Sequence, residues 1–365
     1  MGFSIGIVGL PNVGKTTIFN AITSICAEAS NYPFCTIEPN IGVIPVKDTR
    51  LDKIAEIIKT EHYIPTTIKF IDIAGLVKGA NKGEGLGNKF LSHIREVDGI
   101  AHVVRAFDIE DIVHVEGSAN PIRDVEIIKT ELLLADIEIL NKKVEKLSKS
   151  HLQEIKKQAD SFKKLLFALN ENKSRQEIEE IVKTFTDDEL KGLKELNLIS
   201  LKPYFYIANI DEKELKQPNH LIKLKEYAQK EGVEVITICG KLEEELNQLT
   251  PEEKQEFLKE YGMIETATDR IIHCGYKILN LITFFTTARR ELKAWTIEKG
   301  TKAVHAAGKI HTDMERGFIR AEVIHFEDLV KAGSETMAKE LGLYRLEGKD
   351  YIVKDGDIIY FRFNV

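Results

Sequence analysis

The chain has 365 residues, 43% hydrophobic and 30% charged, which supplies apolar material for more than one domain and excludes disorder throughout. Its formal net charge of -7 gives no general attraction to nucleic acid, although an acidic protein can carry a local basic patch. Cys26, Cys35, Cys239 and Cys274 show no Cys-x-x-Cys spacing, which argues against a zinc knuckle or disulfide scaffold and suits a reducing compartment. Residues 1–10 are apolar too briefly for a signal segment, and no stretch approaches 18 uninterrupted apolar residues. A soluble, cytoplasmic monomer with no membrane partner is therefore expected.

Residues 3–8 form a short buried-strand pattern, followed by a glycine-bearing turn and a helical pattern that begins at Lys15-Thr16. Residues 67–73 and 99–107 are further Ile- and Val-rich runs of the kind found in parallel strands covered on both faces. Runs of the same type return at 203–208 and 233–238, so one α/β domain resumes after an interruption.

That interruption, 124–198, reads as helical. Leu133, Ile137, Leu140, Val144 and Leu147 form one heptad seam, and Leu152, Ile155, Ala159, Phe162, Leu166 and Leu169 form a second. The break at Ser148-Lys149-Ser150-His151 has no glycine or proline, so propensity permits one long helix. A helical hairpin lets the two seams bury each other and is the expected form. Its outer lysines are mixed with glutamates and read as a solvated face. From 280 onward a small α+β domain is expected: strands at 283–287 and 294–297, a helical stretch within 326–341, and a final strand at 358–363 in a mixed sheet. The expected domains are thus 1–123 and 199–279 for one α/β unit, 124–198 for the arm, and 280–365.

Gly9-Leu10-Pro11-Asn12-Val13-Gly14-Lys15-Thr16 is a complete G-x-x-x-x-G-K-[ST] between an expected strand and an expected helix. Backbone N–H groups through Asn12, Val13 and Gly14 can face a β-phosphate, Lys15 can reach the β/γ oxygens, and the Thr16 hydroxyl is placed for Mg²⁺. Thr17 follows it in the nucleotide-binding set. Asn12 has two readings: a ligand for a monovalent cation such as K⁺ beside the phosphates, or a side chain bracing the loop. Asp72-Ile73-Ala74-Gly75 is D-x-x-G after a strand, with Asp72 a candidate to hold Mg²⁺ and the Gly75 amide a candidate to sense a γ-phosphate. Between them, Thr36 in the polar and aromatic loop 31–40 is a candidate second Mg²⁺ ligand. The run 79–87 is too rich in glycine for a stable helix and reads as a switch segment.

Asn209-Ile210-Asp211-Glu212 occupies the place of the guanine-reading Asn-Lys-x-Asp. The lysine stem is lost and the carboxylate gains a methylene, which weakens the case for guanine and leaves room for adenine. Cys239-Gly240-Lys241 after a strand is a further candidate purine-facing loop. Leu76 stands where a water-orienting glutamine would sit, so hydrolysis needs another group. His114 is a candidate, and a polar surface histidine is the alternative.

These motifs in this order resemble the YchF/Obg-like ATPase family. The resemblance rests on Asn12-Val13-Gly14-Lys15-Thr16, the segments 31–40, 72–87 and 306–320, Asn209 to Glu212, and the ending 348–365. It implies a Ras-like P-loop G domain with an inserted coiled-coil arm and a C-terminal TGS domain of β-grasp type. It implies hydrolysis of ATP in preference to GTP with Mg²⁺, and binding to the ribosome or its large subunit, rRNA included. It also places Thr16 and Thr36 on Mg²⁺, Ile210 by the purine beside Asn209 and Glu212, and His114 at the position of the family's histidine. The alternatives are a GTP-dependent ribosome assembly factor and a nucleotide-gated scaffold with negligible turnover.

Overall fold

A computed structural model describes residues 2–28, 37–38, 40–73, 86–107, 120–246, 248–260, 263–288 and 291–364. The chain opens with β1 (Ser4–Val8), α1 (Lys15–Glu28), β2 (Ile37–Glu38), β3 (Ile41–Pro45), α2 (Thr49–Ile58), β4 (Tyr63–Ile64), β5 (Thr67–Asp72), α3 (Leu86–Glu96) and β6 (Gly99–Arg105). Four helices follow: α4 (Pro121–Ser148), α5 (Gln153–Asn170), α6 (Arg175–Lys183) and α7 (Asp187–Lys194). The α/β unit resumes with β7 (Tyr204–Asn209), α8 (Glu212–Lys216), α9 (Asn219–Glu231), β8 (Val235–Ile238), α10 (Gly240–Leu246), α11 (Pro251–Glu260) and α12 (Ala267–Ile278). The last part holds β9 (Leu281–Ala288), β10 (Glu291–Glu298), α13 (Ala303–Ile310), α14 (Thr312–Arg316), β11 (Phe318–His325), α15 (Phe326–Ala332), α16 (Glu335–Glu340), β12 (Arg345–Glu347) and β13 (Asp357–Phe363).

The first sheet runs β2-β3-β5-β1-β6-β7-β8, parallel from β5 to β8 with an antiparallel edge at β3. The apolar runs of the sequence become its central strands because both faces are covered, as the wholly buried β6 illustrates. This parallel register brings the C-terminal ends of β1, β5, β6, β7 and β8 to one edge, where the nucleotide motifs lie.

Lys149 ends α4 and Leu152 precedes α5, so the expected hairpin forms. Two features differ from the seam expectation. Helices α6 and α7 close over the hairpin, and Ile178, Phe185, Leu193 and Leu198 share its core with Leu140, Val144, Phe162 and Leu165. Capping boxes Ser174/Glu177 and Thr186/Glu189 start these two short helices. The cut expected at 123/124 also falls inside α4, which Asn120 caps and Pro121 begins. Ile128, Leu132 and Ala135 of α4 belong to the core of the α/β unit, so the arm is a continuation of a core helix. Asp136, fully buried, fixes the point of departure by accepting hydrogen bonds from Arg95 Nη1 (2.9 Å), Ser200 N (2.7 Å) and Ser200 Oγ (2.8 Å).

The second sheet runs β12-β11-β13-β9-β10-β4, with α13 packed against it. It is mixed, since β13 is parallel to β9 and antiparallel to β11. The helical stretch expected within 326–341 is split by Gly333, whose φ of 70° ends α15 before Ser334 caps α16. The outer strand β4 belongs by sequence to the first unit, and Leu51 and Ile54 of α2 are buried with Phe285, Leu292 and Ile358. The excursion 48–64 therefore completes the C-terminal core, a packing that a sequence division at 280 conceals. Arg50 pins it through Asp48 (2.8 Å) and Asp355 (2.7 Å), with its guanidinium over Phe285. Among the described residues no helix is long and apolar enough to cross a membrane.

Candidate functional site: a phosphate loop and a base loop

The chain turns from β1 into α1 through positive φ values at Asn12 (62°) and Gly14 (92°). Gly14 is required twice over: its φ is left-handed, and a Cβ there would lie 2.3 Å from Asn209 Nδ2. Gly9 likewise lets the loop approach β6, because a Cβ would lie 2.6 Å from the Val103 carbonyl oxygen. Asn209 Nδ2 donates to the Val13 carbonyl at 3.0 Å, tying the base-reading strand β7 to the phosphate loop. The Asn12 side chain is exposed and has no hydrogen bond among the described residues, so the loop-bracing alternative gains no contact.

Lys15 is buried and its Nζ donates to the Leu10 carbonyl at 2.8 Å, folded over the loop it belongs to. Burial pushes the ammonium pKa down, against the opposing pull of Asp72. Asp72 ends β5, and its backbone N–H donates to Asn40 at 2.9 Å. Thr16 Oγ1 donates to Asp72 Oδ2 at 3.0 Å, joining the two Mg²⁺ candidates. Burial pushes the Asp72 carboxyl up, while the Thr16 hydrogen bond and Lys15 pull it down. Among the described residues Asp72 Oδ1 is buried without a hydrogen-bond partner. An orphaned carboxylate oxygen beside a hydroxyl is a donor set that fits a hard divalent cation. Among the described residues no group of three or more His, Cys, Asp and Glu could hold a metal ion. Mg²⁺ at this place would accordingly take few ligands from the protein, as is usual where phosphates and water complete its shell.

The base loop leaves β7 at Asn209. Ile210 is buried with Leu221, Leu224 and Cys239 beneath the loop, so its side chain anchors the loop from below. Asp211 caps α8 by accepting from Glu214 N at 2.9 Å. Glu212 accepts from Lys241 Nζ at 2.8 Å, both side chains being largely exposed. This contact lowers the Glu212 pKa and raises that of Lys241. Sequence reasoning placed both residues near the base without seeing that they pair; the signal was present as two opposite charges on loops following adjacent parallel strands. Burial pushes the Cys239 thiol up, consistent with a packing role. Gly240 begins α10 against α1, where a Cβ would meet Thr17 Cγ2 at 3.1 Å.

The structure thus brings together Asn12, Val13, Gly14, Lys15, Thr16, Thr17, Asp72 and Asn209, with Ile210 and Cys239 just past strands β7 and β8 and Glu212, Gly240 and Lys241 at the starts of α8 and α10. Thr36, Gly75, Leu76 and His114 lie outside the described residues. Residues 79–85 of the glycine-rich run do too, whereas its last two residues, Leu86 and Gly87, already belong to α3.

Two families match the sequence. One, described as a 50S ribosome-binding GTPase, covers residues 4–199. The other, the YchF GTPase C-terminal family, described as a protein of unknown function (DUF933), covers 281–364. The Ribosome-binding ATPase YchF of Bacillus subtilis (strain 168) is 50% identical over 371 residues, covering 100% of both chains. The chain belongs to the YchF family. Another member, the Ribosome-binding ATPase YchF of Mycoplasma genitalium, is 46% identical over 99% of both chains. The solved YchF GTPase of Schizosaccharomyces pombe superposes with a TM-score of 0.87 at 38% identity, over 99% of this chain and 98% of that one. A GTP-binding protein from Pyrococcus horikoshii, 20% identical, shares the fold with a TM-score of 0.61 over 99% of this chain and 100% of that one. The architecture is that of the YchF family: a P-loop G domain carrying a helical insertion, followed by a TGS-like C-terminal domain.

Proposed function

We propose that the chain is a Mg²⁺-dependent ATPase that binds the ribosome and uses ATP hydrolysis to switch that interaction. The observation that carries the reading is the joined cluster of Lys15, Thr16 and Asp72, with one buried Asp72 oxygen left for a cation. The names of the relatives, ribosome-binding ATPases, support ATP as the substrate and the ribosome as partner. Mg²⁺, when bound, would supply positive charge as the terminal phosphoryl group is transferred to water.

The protein's own contributions follow from its geometry. Backbone N–H groups from Asn12 to Thr16 point their dipoles at the phosphates, with the N-terminus of α1 behind them. Lys15 exchanges the Leu10 carbonyl for a phosphate oxygen, which suits an ammonium already buried at the loop. Thr16 and Asp72 would hold the cation on the protein side. Asn209 keeps the phosphate loop and the base loop in one frame through Val13. Thr36 as second cation ligand, the Gly75 amide as γ-phosphate sensor, His114 as the group that orients water, and Asn12 as a K⁺ ligand complete the proposed site.

GTP is the second reading, favoured by the GTPase descriptions of the matched families. The Glu212–Lys241 pair weighs against it. A carboxylate that reads guanine must accept from that base's N1 and amino hydrogens, and here one of its oxygens already accepts from Lys241. The test is turnover with ATP, GTP and no nucleotide, combined with co-sedimentation with ribosomes in each state. The proposal expects Mg²⁺-dependent ATP hydrolysis and nucleotide-dependent pelleting. Pelleting that ignores nucleotide, together with no hydrolysis, would leave a scaffold.

A further inference from the structure

At the root of the arm the G domain and the inserted helices enclose a cavity of about 530 Å³, within the range of small-molecule sites. None of the residues Gly9 to Thr16 lines it. Its floor includes His102 of β6 and Tyr204 of β7, one wall is α4, another is α9, and α6 with the residues before it forms the rim.

One wall is a fixed polar assembly. Glu231 accepts from the hydroxyls of Tyr206 (2.8 Å) and Tyr204 (3.3 Å) and pairs with Lys129, while the Tyr227 hydroxyl lies between Glu126 and Glu231. Burial and the adjacent carboxylate push these phenols up, so they remain protonated donors. These groups partner one another, and further charged groups lie at the rim. There Arg175 sits over the Tyr204 ring at 5.5 Å, with its Nε on Glu179 at 2.9 Å. Lys230, exposed, has no ion-pair partner among the described residues. Apolar side chains such as Leu133 and Leu201 face the same space.

We propose that this cavity binds a small planar aromatic anion. A ring entering it would stack on the open face of the Arg175 guanidinium, which Tyr204 backs, and rest on the apolar lining. The anionic group would remain at the rim, where Lys230 supplies the uncompensated charge. Because the walls come from both the G domain and the insertion, such a ligand would clamp the arm at its base. The floor also adjoins the phosphate loop, since Val8, which precedes Gly9, lines the cavity and lies opposite His102 in the sheet.

The test uses the whole chain and the planar fluorescent sulfonate 2-naphthalenesulfonate, with and without saturating Mg²⁺ and ADP to separate this site from the phosphate loop. One probe per chain should bind under both conditions. Leu133→Trp, whose indole would take up part of the cavity, should weaken binding at least tenfold, and Lys230→Glu should weaken it about tenfold, the loss of one charge-assisted contact. Should Leu133→Trp fail to fold by circular dichroism, Leu201→Trp narrows the same space from another lining position. No binding to the wild type, displacement of the probe by ADP, or binding unchanged in the narrowed variants would overturn the proposal.

Discussion

Asn209 Nδ2 and the Val13 carbonyl oxygen meet at 3.0 Å, and this hydrogen bond makes the phosphate loop and the base loop one rigid frame. Asn209→Ala leaves a buried carbonyl without its donor, a loss of about 1–3 kcal/mol. The expected outcome is a drop of roughly tenfold in ATP affinity with a lowered melting temperature, measured by calorimetric titration and thermal unfolding. Gly14→Ala should be worse, because the added carbon collides with the same amide at a left-handed φ.

Asp72→Asn and Thr16→Ala should each lower Mg²⁺-dependent hydrolysis by roughly two orders of magnitude, since part of the cation's charge stabilisation is lost with each ligand. Their effect on nucleotide binding without Mg²⁺ should be small. Turnover and nucleotide affinity measured across a Mg²⁺ titration separate the two effects, and equal losses with and without the cation would reassign both residues to the loop's structure.

The arm is fastened at Asp136, which is fully buried between Arg95 and Ser200. Asp136→Ala strands a partly buried guanidinium and should cost about 3–5 kcal/mol locally. Hydrogen exchange in α4 beyond residue 136 is expected to accelerate far more than exchange in the central strands, because the fastener lies at the junction and outside the sheet.

His102 is buried against the cations Lys129 and Lys15, and burial, with these charges, lowers its pKa to about 3. In the unfolded chain it titrates near 6.5. Between these values the unfolded state binds a proton that the folded state refuses, so stability falls as pH drops from about 6.5 toward 3, by about 1.4 kcal/mol per pH unit. Replacing it by His102→Gln should flatten this acid limb, which urea unfolding at pH 7 and pH 5 will read.

Leu51 and Ile54 precede the arm by some seventy positions in sequence yet complete the core around Phe285 and Leu292. Ile54→Ala should destabilise the C-terminal domain by about 2–5 kcal/mol. A fragment starting at residue 281 should lack a cooperative melting transition, because it leaves both β4 and α2 behind.

The legible parts of this protein were those in which local chemistry suffices. Gly9 to Thr16 announces its turn because glycines, lysine and threonine each have a separate duty there. The strands around residues 5, 102 and 206 were readable because burial on both faces writes a nearly continuous apolar run, and the one around residue 70 because Ile68 and Phe70 alternate with the exposed Lys69. The placement of β4 was not, since two residues carry no periodic signal and their partner β10 is more than two hundred residues away. The first half of α4 read as arm because a helical pattern is indifferent to which core receives it. Glu212 and Lys241 were recognised singly, and only the parallel pairing of β7 and β8 brings them together.

The most direct test of the account is the relative affinity of nucleotide-free protein for ATP and GTP in the presence of Mg²⁺, with Glu212→Asp measured alongside. The account predicts tighter ATP binding by the wild type and a shift toward GTP in Glu212→Asp, as the shortened carboxylate gives up Lys241. Much tighter GTP binding by the wild type would contradict it.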